Sequence, residues 1–161
     1  MNSKYETISD AASQGDLEAV KEFHINESVQ EADWAMDYAA ENGHFEIVKW
    51  LHLNRKDGWQ PTAMNEAALN GYLEIVKWLH EQGQPCTEDA IDGAAENGHL
   101  EIVKFLCENR SEGYADAIEA AEYNGHLDIF EYLRKQRTNY VLRIDGKVID
   151  NSTVETIAEI N

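Results

Sequence analysis

Basic residues are scarce in this chain: 13 Lys and Arg stand against 31 Asp and Glu, for a formal net charge of −18. A protein that holds nucleic acid needs a basic footprint for the phosphates, so no direct DNA or RNA ligand is expected. Long apolar runs are also missing. None approaches the ~18 residues that a membrane-spanning helix requires, and the opening MNSKYETISDAAS lacks the apolar stretch of a signal peptide. Cysteine is limited to Cys86 and Cys107, in neither a CxxC nor a Cys/His metal spacing. Reduced thiols, no metal, and an intracellular, cytoplasmic setting are therefore expected. Phosphate-cradling Gly-rich loops, HExxH and nucleophile-elbow motifs are absent as well. Cys107 and His80 occupy equivalent places in the pattern below, but no third group to orient them is evident. Neither catalysis nor a cofactor is expected.

What the chain does have is repetition. AENGHFEIVKWLH from Ala40, LNGYLEIVKWLH from Leu69, AENGHLEIVKFLC from Ala95 and EYNGHLDIFEYL from Glu122 are near-copies, preceded by a degenerate SQGDLEAVKEFH from Ser13. Gly15, Gly43, Gly71, Gly98 and Gly125 hold the register, with spacings of 28, 28, 27 and 27. A period of this size signals a stacked array of units, none of which can bury its apolar face alone. Each unit has the pattern of two short helices. Around Gly98, Ala90, Ile91, Ala94 and Ala95 share one face of the first helix, and Leu100, Ile102, Val103, Phe105 and Leu106 form that of the second. The glycine suits the left-handed backbone at a helix C-terminus. Paired alanines (Ala39 and Ala40, Ala67 and Ala68, Ala94 and Ala95) allow neighbouring helices to approach closely. The pairs Glu46–Lys49, Glu74–Lys77 and Glu101–Lys104 lie on the outer face, worth a few tenths of a kcal/mol each.

The units AMDYAAENGHFEIVKWL, AMNEAALNGYLEIVKWL and AIDGAAENGHLEIVKFL resemble ankyrin repeats in their helix pair and NGH-type turn, over residues 5 to about 136. The resemblance implies an all-α ankyrin-like helical solenoid of five helix-turn-helix repeats, at approximately 4–30, 31–58, 59–85, 86–112 and 113–138. Each unit is five or six residues shorter than the usual ~33. PTAMN and EDAID replace the family's TPLH-type opening, and connectors such as NRKDGWQ and EQGQPC look too short for its β-hairpin fingers. In the family, fingers and first helices line a concave binding face. Here the first helices are expected to supply most of it.

Counting back two, five, six and nine residues from each glycine gives the expected outward face of the first helix. The twenty positions are Glu6, Ser9, Asp10, Ser13, Trp34, Asp37, Tyr38, Glu41, Thr62, Asn65, Glu66, Leu69, Asp89, Asp92, Gly93, Glu96, Asp116, Glu119, Ala120 and Tyr123; ten are acidic and none is Lys or Arg. The expected partner site comprises Trp34, Asp37, Tyr38, Glu41, Glu66, Leu69, Asp89, Asp92, Glu96, Asp116, Glu119 and Tyr123. Trp34, Tyr38, Leu69 and Tyr123 would act as anchors and the acids would steer a basic protein or peptide. The alternative for the same face is a solvated surface whose large residues pack between repeats. Rival functions are a nucleic-acid mimic that occupies the basic site of another protein, and a structural or oligomerising module. A monomer is expected over a dimer.

Two further columns have architectural readings. Trp50, Trp78, Phe105 and Tyr132, seven residues after each glycine, fit packing between adjacent repeats, with Glu22 as a polar replacement at the start of the stack. His44, His99 and His126 belong to the turn and fit satisfaction of backbone groups. His24, His52 and His80 recur at intervals too long for shared metal coordination. Beyond the array, residues 139–161 are expected to form a C-terminal cap. Tyr140 to Ile144 and Lys147 to Asp150 flank an Asp145-Gly146 hairpin turn, and Ser152 with Glu155 opens a short helix. The hairpin edge could instead pair with another chain.

Overall fold

The computed structural model describes residues 4–26, 34–55, 62–109 and 115–141. Among them are ten helices in five pairs and no strand. First helices are α1 (Ile8–Ser13), α3 (Ala35–Glu41), α5 (Thr62–Leu69), α7 (Asp89–Glu96) and α9 (Ala115–Tyr123). Second helices are α2 (Leu17–Asn26), α4 (Phe45–Asn54), α6 (Leu73–Glu81), α8 (Leu100–Asn109) and α10 (Leu127–Val141). Residues 82–88, which join α6 to α7, contain turns and no strand, in keeping with a connector too short for a finger.

Every pair is joined by the same turn. Gly15, Gly43, Gly71, Gly98 and Gly125 all have positive φ, between 75° and 84°. The residue after each glycine donates its N–H to the carbonyl five residues back: Asp16 to Ala11, His44 to Ala39, Tyr72 to Ala67, His99 to Ala94 and His126 to Ala121, at 2.8–3.0 Å. This pattern closes a helix C-terminus and suits glycine, which has no Cβ to oppose the left-handed backbone. In four turns the preceding asparagine adds a bond of its own. Asn42, Asn70, Asn97 and Asn124 donate from Nδ2 to the carbonyls of Tyr38, Glu66, Gly93 and Ala120 at 2.8–3.0 Å.

The two layers pack by different means. Successive first helices lie in intimate contact along the whole stack, whereas successive second helices touch sparingly. The alanines explain this: Ala11, Ala12, Ala39, Ala40, Ala67, Ala68, Ala94, Ala95, Ala117 and Ala121 are completely buried. Interaxial distance is set by the side chains at the contact, so alanine seams bring backbones close. Between the layers run the apolar faces of the second helices, with Ile47, Val48, Leu51, Ile75, Val76, Leu79, Ile102, Val103, Leu106, Ile129 and Leu133 all nearly inaccessible.

Large rings set the spacing of the second helices. His24 meets Trp50 edge-on with ring centroids 5.1 Å apart, His52 meets Trp78 at 4.8 Å, and His80 meets Phe105 at 5.3 Å. Each rung joins the histidine of one repeat to the aromatic of the next, so these two columns form one inter-repeat ladder. On the outer face Glu18–Lys21, Glu46–Lys49 and Glu101–Lys104 form ion pairs. Lys77 lies over the Phe105 ring, 5.9 Å from its centroid.

The C-terminal expectation needs correction. Tyr140 and Val141 are the last helical residues of α10, which runs 15 residues, so no hairpin strand begins at Tyr140. The run Leu-Arg-Lys-Gln-Arg consists of strong helix formers and carries the helix beyond the repeat length of its predecessors. The remainder of the expected hairpin and the short helix after it lie outside the described residues.

Candidate functional face on the first helices

The first helices present one side to the second helices, their alanine edges to each other, and a third side to solvent. Trp34, at the start of α3, is 57% exposed, Tyr38 is 43%, Leu69 is 36% and Tyr123 is 91%. These are the four large apolar residues expected there. Glu6, Asp10, Asp89, Glu96, Asp116 and Glu119 are exposed beside them, and Glu41 and Glu66 are half-buried. Asp10 also closes a capping box. It accepts from the Thr7 N–H at 3.0 Å while its own N–H donates to Thr7 Oγ1 at 3.1 Å.

Asp37 departs from the expected placement. It is only 6% exposed, turned into the seam between α3 and α5. Thr62 Oγ1 donates to Asp37 Oδ1 at 2.7 Å, while Oδ2 is buried without a hydrogen-bond partner. Burial raises its pKa to about 6, with Glu66 pushing the same way and the Thr62 hydrogen bond opposing. Asp92 is half-buried at the equivalent place in the next seam but one. Its pKa is also raised to about 6, first by burial and then by Asp116, Glu88 and Asp89, against a hydrogen bond from the Ala117 backbone N–H. Asn65 fills the seam between them. Its Nδ2 donates to Thr87 Oγ1 at 2.8 Å and its Oδ1 accepts from the Thr87 N–H at 3.2 Å.

The position six residues before the glycine is therefore a stitch from one repeat to the start of the next first helix. The 100° step placed it outward, but the close alanine spacing turns that edge into an interface. Gly93 is likewise buried rather than outward: a Cβ there would lie 2.8 Å from Leu69 Cδ1. Leu69 thus leans across the next first helix and is part packing residue, part surface.

The acids of this side, in the seams and on the surface, gather into three groups. Glu66 is raised in pKa by burial and then by Glu41, and it in turn repels Asp37. Glu88, Asp89 and Asp116 surround Asp92. Glu96, Glu119 and Glu122 line a notch with Ala120, Tyr123 and Asn124 at the fifth repeat. Such crowding of one sign, beside exposed aromatics, costs stability and attracts cations.

Turn rings connect repeats on the same side of the stack. His44 Nε2 lies 3.0 Å from the Ser13 carbonyl, His99 Nε2 3.1 Å from that of Leu69, and His126 Nε2 3.0 Å from that of Glu96. A carbonyl only accepts, so Nε2 carries the proton in each ring. The turn histidines thus serve architecture, as their spacing suggested, and do so across repeats. Among the described residues no group of three or more His, Cys, Asp or Glu side chains could hold a metal ion. Burial and then Glu108 push the Cys107 thiol up to about 11, leaving it protonated at neutral pH and a poor nucleophile.

A family model for ankyrin repeats, three copies, matches residues 8–90, just over half of the 161. The chain belongs to the ankyrin repeat family. The matched span covers the first three helix pairs, and the same glycine turn recurs at Gly98 and Gly125, with Ala94, Ala95 and Ala121 buried beneath it. Ankyrin repeats are generally protein–protein interaction modules and typically non-catalytic. Among curated proteins none matches the chain significantly. No described helix of this ankyrin array is long and apolar enough to cross a membrane.

Proposed function

We propose that this ankyrin array binds a basic protein or peptide through the solvent side of its first helices. One observation carries the reading: Trp34, Tyr38, Leu69 and Tyr123 stand exposed on a face whose charges are all negative. Exposed aromatics are typical interface anchors, and a one-sided field raises the encounter rate of oppositely charged partners. The packing supports the same side. A layer spaced by alanine is shorter than one spaced by imidazole and indole, which favours a stack curved toward the first helices.

Within the face the roles divide. Trp34, Tyr38 and Tyr123 are the anchors. Glu41, Glu66, Asp89, Glu96, Asp116 and Glu119 supply attraction and pairing, and Leu69 contributes its exposed edge. Asp37 and Asp92 act indirectly: a cationic partner lowers the cost of their ionised form in the seams.

Titration of the full chain with a nona-lysine peptide, followed by backbone amide shifts, tests the proposal. The largest shifts are expected on α3, α5, α7 and α9, and Trp34→Ala should weaken binding several-fold. Shifts concentrated on the second helices, or binding indifferent to Trp34, would refute it.

A further inference from the structure

We infer that the fifth turn is the seat for a ring-bearing residue of the basic partner, an imidazole or phenol set on Gly125. The inference rests on the proposed acidic face and locates one contact on it. Its basis is a contact that the array makes four times with itself. A Cβ built on Gly15 would lie 2.7 Å from the His44 ring, one on Gly71 2.7 Å from His99, and one on Gly98 2.7 Å from His126, and one on Gly43 would run into the Tyr72 ring. Each turn glycine is thus a flat patch of backbone on which the next repeat lays a ring. In three cases the ring also donates to the carbonyl two residues before that glycine.

Gly125 has the same backbone, with φ +79°, yet no described residue comes within 4 Å of a Cβ built there. The matching carbonyl is that of Tyr123. The surroundings have the same unfinished character. Leu127 is 64% exposed, while its equivalents Leu17, Phe45, Leu73 and Leu100 are half-buried. Tyr123 is the most exposed of the described large apolar residues, at 91%. The surface is continuous with the inter-repeat interface and repeats its chemistry.

Three occupants compete, and composition decides between them. Residues 142–161 contain no His, Phe, Tyr or Trp, so that segment has no ring to offer. A second copy stacking head to tail would present Asp16, which stands where the other turns carry His or Tyr; its carboxylate accepts from the Ala19 N–H and the Tyr5 hydroxyl at 3.1 and 3.2 Å. That end is closed by its own bonds. A separate partner remains, and the notch lined by Glu96, Glu119 and Glu122 beside Tyr123 sets its charge. Basic residues flank the ring.

The probes are nine-residue peptides of lysine with His, Tyr or Ala at the centre, titrated against the full chain. His and Tyr peptides should bind about five-fold more tightly than the Ala peptide, as one stacked, hydrogen-bonded ring warrants. Gly125→Asn keeps a residue that tolerates positive φ but fills the patch. It should abolish the preference, so that the three peptides bind the variant alike. Gly83→Asn, at a positive-φ glycine outside the repeat register, should retain the preference. Equal binding of all three peptides to the wild type overturns this inference while leaving the acidic face standing. Failure of every peptide to bind overturns both. Head-to-tail association of the chain in light scattering, abolished by Gly125→Asn, would reassign the seat to a second copy.

Discussion

The two helical layers of this array solve the same problem with opposite materials. The first helices are held together by alanines that lose almost no side-chain entropy and let backbones meet. The second helices are held by indole, phenyl and imidazole rings that reach across a wider gap. The alanine layer is tightly spaced, and on its outward side Asp37, Thr62, Asn65, Asp92, Gly93 and Leu69 also pack between repeats. It is also the layer that carries unbalanced charge, whereas the second helices pair Glu with Lys. A rigid layer with an unsatisfied surface is suited to recognition. A layer of large, interlocking, charge-balanced side chains is suited to support.

That contrast breaks most visibly at the alanines. Ala94→Leu forces three extra heavy atoms between α7 and its neighbours, and a loss of about 3 kcal/mol is expected in denaturant unfolding. A loss below about 1 kcal/mol would show that the first layer is looser than described. Gly71→Ala comes next. The left-handed backbone costs about 1–2 kcal/mol for a residue with Cβ, and the His99 ring, 2.7 Å from that Cβ, must leave its place. About 2 kcal/mol should be lost, with the His99–Leu69 hydrogen bond broken. In the second layer Trp78→Phe keeps an aromatic ring but weakens the edge contact to His52. It should cost only about 1 kcal/mol, and a cost equal to that of Ala94→Leu would erase the distinction between layers.

The smallest effect has the opposite sign. Asp37 has a folded pKa of about 6, above the ordinary ~3.9 of an unfolded aspartate. The folded state therefore binds the proton more tightly, and ionised Asp37 destabilises the array fully above pH 6. The penalty shrinks as pH falls through 6 and disappears below about 4. Asp37→Asn should stabilise the protein by about 1 kcal/mol at pH 7 in denaturant titrations, and the gain should vanish near pH 4. A gain that persists unchanged at pH 4 would show that the buried charge is not its source.

Much of this was legible in the sequence, because a repeat reports every contact several times. The glycine register, alanine pairs and apolar faces sufficed to place five helix pairs, and Trp34, Tyr38 and Tyr123 emerged on the expected surface. The seam was not legible. A helical wheel treats each helix alone, so it put Asp37 in solvent when the neighbouring α5 covers it and Thr62 binds it. Residue type offered no correction, since aspartate ordinarily avoids burial unless paired. The ring-on-glycine contact was half visible: the turn histidines were recognisable as architecture, but their reach across repeats depends on backbone closeness that only coordinates give. The extension of α10 through Val141 was missed because an Asp-Gly hairpin signal outweighed the helix propensity of the residues before it.

The central claim is that the organisation of the negative charge, not its amount, selects the partner. Two variants of the full chain with equal net charge decide it: Glu41→Gln, Glu96→Gln and Glu119→Gln on the first helices, against Glu46→Gln, Glu74→Gln and Glu101→Gln on the second. Affinity for the nona-lysine peptide at near-physiological salt, where distant charges are screened within ~8 Å, is the measurement. The first-helix variant should bind at least five-fold more weakly than the second-helix variant. Equal weakening of the two would contradict a binding face on the first helices and leave the charge as a property of the whole surface.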